Sequence, residues 1–246
     1  MGKYFNVTKK IEIAASKQHS AFSSGNVLAD WQAIQVPRGS ICLTSVTMLT
    51  RPKGDASPTD NNFAADVVFA KNNTVSLGTV GGMPDHRPNP DIIGLIEFDA
   101  ANYATPHLQS TSIAMVGGDA GNATPPLILT SDITTGDNVG YDTVYVGMLA
   151  RDAWDFTTIN RINDGDIDTS SPGTTLVCDG SSMDLREHFA VDDVLHAHDD
   201  AVIGVVASVD SATNITLDEA ISTGVLEDDD YVYNLYPITL IFGFEK

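Results

Sequence analysis

Residues 236–244 read YPITLIFGF, and their alternation decides the class of fold. Ile238, Leu240, Phe242 and Phe244 fall on one side of a period of two, with Thr239, Ile241 and Gly243 on the other. That is the pattern of a β-strand with one buried face. So apolar a segment has to return to a core. Residues 142–150 (DTVYVGMLA) match its apolar richness. The two are therefore expected in one sheet, the tail closing it.

Working outward, the same period recurs. Residues 4–15 alternate through Phe5, Val7, Ile11 and Ile13, and 41–50 set Ile41, Leu43, Ser45, Thr47 and Leu49 against Cys42, Thr44, Val46, Met48 and Thr50. Arg51-Pro52-Lys53-Gly54 stops that run, since Pro and Gly break a ladder. Residues 63–71 and 74–80 read as a hairpin turned at Asn72-Asn73. Residues 81–91 (Gly81, Gly82, Pro84, Pro88, Pro90) form an irregular loop, and 92–98, 108–116 and 125–131 supply further strands. The Ser-rich stretch 16–30 reads as loop or arm. Nowhere does a capped, 3.6-periodic segment exceed about two turns. The expectation is an all-β, jelly-roll-like β-sandwich.

Residues 155–234 read as a small β-barrel unit inserted into that sandwich. Its strands are expected at 174–178, 191–197, 202–210, 214–217 and 231–235, with a hairpin turn at 210–214. The organisation is thus 1–154 for the main sandwich with a basic first segment, 155–234 for the insertion, and 235–246 for the closing strand. The insertion rests on 142–150 and 236–244 sharing a sheet.

Charge bounds the partners. The chain carries 13 basic and 33 acidic side chains, a net charge of −20. Residues 1–53 hold seven basic and two acidic groups (+5), whereas 151–230 hold three and nineteen (−16). So acidic a body repels phosphate backbones, which excludes nucleic acid as the expected partner. The basic first segment suits an acidic protein surface or a neighbouring copy. No apolar run approaches membrane-spanning length and no secretory h-region follows the first residues, so neither membrane nor export is expected. Cys42 and Cys178 lie far apart and read as small buried hydrophobes.

Candidate chemistry is thin. Asp164, Asp166 and Asp168 alternate as hard-cation ligands would, but an EF-hand needs Gly where Thr169 stands and Glu where Thr175 stands. A solvated turn is the simpler reading. His196 and His198 would share a strand face and start a zinc site, with His188 or Asp199 as third ligand, yet two imidazoles alone do not make one. Glu227 to Asp230 read as a solvated charge run. The sequons at Asn6, Asn72, Asn122 and Asn214 read as chance matches. No nucleophile elbow or phosphate loop occurs, so no catalytic residue, metal or cofactor is expected. Tyr4, Phe5, Phe22 and Trp31, with Lys9, Lys10 and Lys17, form an aromatic and basic set of the kind that anchors an interface. Core packing at the sandwich edge accounts for Phe5 and Trp31 equally well.

The stretch from Phe189 to Leu195 (FAVDDVL), then Val202 to Leu217 (VIGVVASVDSATNITL), and Tyr231 to Asn234 (YVYN) resembles a small β-barrel of tailed-virus structural proteins. The terminal run ITLIFGFE is similar to the last sheet strand of such capsid-associated proteins. The resemblance covers about a third of the chain and implies a non-enzymatic virion component, assembled in the host cytoplasm. Its implied partners are the major capsid protein, other virion proteins and copies of itself, commonly as a trimer. The alternative is a glycan- or receptor-binding module of a viral tail or adhesin protein, gripping a host glycan with the inserted unit, which offers few aromatics for it: Phe189, Tyr231 and Tyr233. A hydrolase on a jelly-roll scaffold is the third reading.

Overall fold

The alternating segments satisfy their backbones by pairing with one another. The computed structural model describes residues 4–39, 41–51, 62–104, 111–117, 127–129, 141–154, 156, 167–168, 173–178, 184–222, 225–226 and 231–246. In a first sheet, β1 (Tyr4–Ile11) pairs with β15 (Ile238–Glu245), β15 with β3 (Ile41–Thr50), and β3 with β6 (Ser112–Gly117). The short β7 (Leu127–Leu129) continues the line of β6 along β3. A second sheet runs β2 (Val27–Pro37), β8 (Tyr141–Ala150), β4 (Ala65–Ala70), β5 (Ile92–Phe98).

Every pairing in both sheets is antiparallel. With β7 set aside, the eight main strands divide between the sheets in the orders 1-8-3-6 and 2-7-4-5. That is the double Greek key of a jelly roll.

The inner faces share one core. Ile238, Leu240, Phe242 and Phe244 from the first sheet join Phe69, Val144, Val146 and Met148 from the second. Phe69 meets Phe242 edge-on at 5.7 Å between ring centres. Where β1 and β2 part at the rim, Gln32 bridges them. Its amide donates to the Glu12 carbonyl at 2.9 Å, and its oxygen accepts from Glu12 N–H at 3.1 Å.

Three expectations need correction. First, the tail does not join the sheet of 142–150. β15 lies in the facing sheet, at its centre, with hydrogen-bonded neighbours on both edges. The apolar match arose because both strands face the same core; alternation reports burial, not partner. The shared-sheet ground for the insertion falls with it.

Second, 74–80 is no strand. β4 pairs with β5 and β8, and the chain between β4 and β5 folds over the outside of the second sheet. Asp30 accepts from Leu77 N–H at 2.8 Å, and the Trp31 indole donates to the Val75 carbonyl at 2.7 Å. Leu77 and Trp31 pack where β8 has Gly147: a Cβ there would stand 2.7 Å from Leu77 Cδ2.

Third, 16–30 is not an arm. It holds the one-turn helix α1 (Ala15–Gln18), Phe22 in the core edge-on to Phe156 at 5.5 Å, and the start of β2. Register shifts between Val27 and Gln32 break the period, which hid this strand from the alternation test.

Between β8 and β15 the chain builds a third, six-stranded sheet. Its order is β14 (Val232–Asn234), β11 (Val194–Ala197), β12 (Val202–Val209), β13 (Asn214–Leu217), β10 (Thr175–Cys178), β9 (Ile167–Asp168). The one-turn helix α2 (Leu185–His188) packs with it. Leu176, Leu185, Phe189, Leu195, Ile203, Val206, Ile215, Leu217 and Val232 form a second hydrophobic cluster, separate from the first.

Phe242→Ala is expected to destabilise the protein by about 3–5 kcal/mol in chemical denaturation, because it empties the middle of the jelly-roll core.

Candidate interaction surface

Pairing register places a second set of side chains on the outside of the first sheet. One row across the strands is Lys10, Thr239, Leu49 and Ile113. The next is Thr8, Ile241, Thr47 and Met115, then Asn6, Gly243, Ser45 and Gly117. The far row is Tyr4, Glu245, Cys42 and Ile128. Their neighbours in sequence point into the core, so this set points out. Within these rows the charged side chains are Lys10 at one end and Glu245 at the other. Tyr4 is 73% exposed, Ile128 61% and Met115 38%. Tyr4 hydrogen-bonds Glu245, which holds the phenol above its ordinary pKa.

Beyond the Lys10 end lies a seam between the jelly roll and the third sheet. Arg51 donates from one nitrogen, Nη2, to both carboxylate oxygens of buried Asp193, at 2.8 and 2.9 Å, and Asp193 also accepts from Ala190 N–H at 2.9 Å. Lys10 Nζ donates to the Asp192 carbonyl at 3.2 Å. Ser16 donates to Asp200 through both its N–H and its hydroxyl, at 2.8 and 2.6 Å. Buried Gln18 donates to the Ile13 and Asn234 carbonyls at 2.6 and 2.8 Å, and Ile13 N–H reaches the Leu235 carbonyl at 3.0 Å. Burial by itself would raise the Asp200 carboxyl; the Ser16 hydrogen bonds, His196 and Lys17 more than offset it and hold it below its ordinary value. The basic first segment thus finds an acidic partner within its own chain.

The residues singled out from sequence scatter. Phe22 is core and Trp31 is bound to Val75 and packed beside Gly147, so neither anchors a surface. Phe5 stacks on Phe244 at 5.3 Å. Lys9 and Lys10 lie on β1, with only Lys10 in the outer rows, and Lys17 sits by Asp200. Asp164 and Asp166 lie outside the described residues, and Asp168 is described only through its backbone pairing with Val177.

The two histidines do not converge. His196 is buried, its Nδ1 3.0 Å from the Asp200 carbonyl oxygen, whereas His198 lies past the strand end and is exposed. Among the described residues no group of three His, Cys, Asp or Glu side chains comes together as a metal site. Cys42 is half-buried on the outer face rather than in the core. Sequence reasoning missed Ile241, Thr47, Met115 and Ile128 as surface. Alternation marks two faces, and an apolar residue on the wrong face was the available signal.

Among the described residues no helix is long and apolar enough to cross a membrane. Comparison with family models, with curated proteins and with solved structures returns no match.

Asp193→Asn is expected to lower the stability of the third sheet by roughly 2–4 kcal/mol, since it leaves Arg51 facing a neutral group in a half-buried seam. Hydrogen exchange should show β11 and β12 losing protection before β3 and β15. The depressed Asp200 carboxyl gives a second outcome. Its stabilisation is present above the ordinary value of 3.8 and is lost as pH falls through the lower, folded value. The melting-temperature difference between the parent protein and Asp200→Asn should therefore be full at neutral pH and vanish in acid.

Proposed function

We propose that this chain is a structural subunit of a virus particle, without a catalytic role, held to the shell and to copies of itself. The observation that carries the reading is the wide outer face of the first sheet. Among the described residues of its rows the charged side chains are Lys10 and Glu245, on a chain with a net charge of −20. An acidic protein keeps itself apart by charge, so a face whose rows hold one carboxylate, Glu245, balanced by Lys10, is where another protein surface can approach with little of that repulsion. The jelly roll supports the reading as a scaffold that packs into shells, although the same scaffold serves lectins. The first 50 residues enter this proposal differently from the sequence expectation. Their strands β1 and β3 supply half of the outer face, while their lysines and Arg51 mostly serve the seam.

The glycan-binding reading has less support. It needs exposed aromatic rings on the third sheet, yet Phe189 and Tyr233 are buried and Tyr231 is 37% exposed.

The test is to purify particles by density from a culture producing the protein, and to quantify the chain in them by mass spectrometry. The expected result is a fixed multiple of the shell protein, with antibody against the chain labelling intact particles. Absence from purified particles would overturn the proposal.

A further inference from the structure

We infer that the outer face of the first sheet binds the same face of a second copy, about a two-fold axis in the plane of the sheet and perpendicular to its strands. This deepens the structural-subunit reading and rests on it for the biological setting. The occupant follows from charge. A partner with a strongly charged surface would find nothing to pair with across the rows from Tyr4, Thr8 and Lys10 on β1 to Ile128 and Ile113 on the opposite edge. A second copy would. Its own face is equally neutral, and the two charges that remain are of opposite sign and at opposite ends.

The axis follows from the same two charges. Turning one copy over about a line perpendicular to the strands exchanges the ends of every strand. Lys10 of one copy then comes over the row of Tyr4 and Glu245 in the other, and the reverse contact forms at the far end, as an isologous interface requires. An ammonium has three donors, and Lys10 spends one on the Asp192 carbonyl. An axis parallel to the strands would instead set Lys10 against Ile113 and leave Glu245 over Cys42.

Charge away from the face agrees. The seam holds the third sheet at the Lys10 end, and residues 151–230 carry a net −16. The perpendicular axis puts the two acidic units at opposite ends of the pair; the parallel axis would put them side by side. Ile241 and Thr47, neighbours in register, lie near the middle of the contact.

Sedimentation velocity of the full chain across a concentration series tests this. The expected result is a monomer–dimer equilibrium. Ile241→Glu, which plants a carboxylate at the centre, should weaken it by more than roughly tenfold, with Met115→Glu as a second such variant. Lys10→Glu and Glu245→Lys should each weaken association several-fold at low salt, and the double exchange should restore it, because the swapped charges meet again across the axis. The two residues stand six positions apart along the strands, roughly 20 Å, too far to rescue each other within one chain. Circular dichroism confirms that each variant is folded. Arg87→Glu, in the exposed loop between β4 and β5, should leave the equilibrium unchanged.

A protein monomeric at all concentrations, a dimer indifferent to both Ile241→Glu and Met115→Glu, a trimer, or a double exchange that fails to restore would each overturn the inference. The particle measurement is independent. Finding the chain in virions but monomeric in solution removes this interface alone, whereas dimers of a chain absent from particles remove the structural-subunit reading alone.

Discussion

The central position of β15 constrains everything else in this molecule. Its inner side chains fill the middle of the core, and its two edges complete the hydrogen bonding of β1 and β3. Yet it follows the third sheet in the chain. Neither β1 nor β3 has that partner until the whole course from β8 through the third sheet has been made and brought back. Such long-range pairing is slow, because loop closure must precede the contacts that reward it. The third sheet eases this by collapsing around its own hydrophobic cluster. Its C-terminal end is tied to the jelly roll at the seam, where Ile13 N–H meets the Leu235 carbonyl and Arg51 N–H meets the Pro237 carbonyl at 3.1 Å.

The seam explains the uneven charge. Positive residues in the first 53 positions and carboxylates in the third sheet are far apart in sequence but adjacent in space, as Arg51 with Asp193 and Lys17 near Asp200 illustrate. The charge-assisted contact of Arg51 with buried Asp193 is one of the bonds that hold the third sheet against the jelly roll. A surplus of carboxylates remains on the third sheet, which keeps that part of the surface hydrated and repulsive to copies of itself.

The two sides of the first sheet divide the labour. Inside, Phe242 and Phe244 stack at 6.2 Å and Phe5 lies on Phe244, giving the core large rings in fixed places. Outside, the described rows hold mostly threonines and single apolar residues. Gly243 and Gly117 pack closely there: a Cβ on either would run into Ser45 or the backbone at Thr44. Gly117 also holds a φ of +87°, which only glycine adopts freely. The first sheet therefore carries stability on its inner face and leaves its outer face for the association proposed above.

By itself the sequence determined the β class, most strand positions in the jelly roll, and the uneven distribution of charge along the chain. Each depends on local period or on summed charge, which need no knowledge of what lies opposite. Only the tertiary structure decided which strands pair, and so placed 236–244 across the core from 142–150 rather than beside it. It alone showed that Phe22 and Trp31 belong to packing, that His196 and His198 part company at the end of β11, and that Lys10 and Glu245 mark the ends of one face. The reason is that alternation gives a strand two faces without saying what each one meets. Partner and exposure are set by contacts between segments more than 200 residues apart, such as Gln18 and Asn234, whose hydrogen bond spans 216 positions.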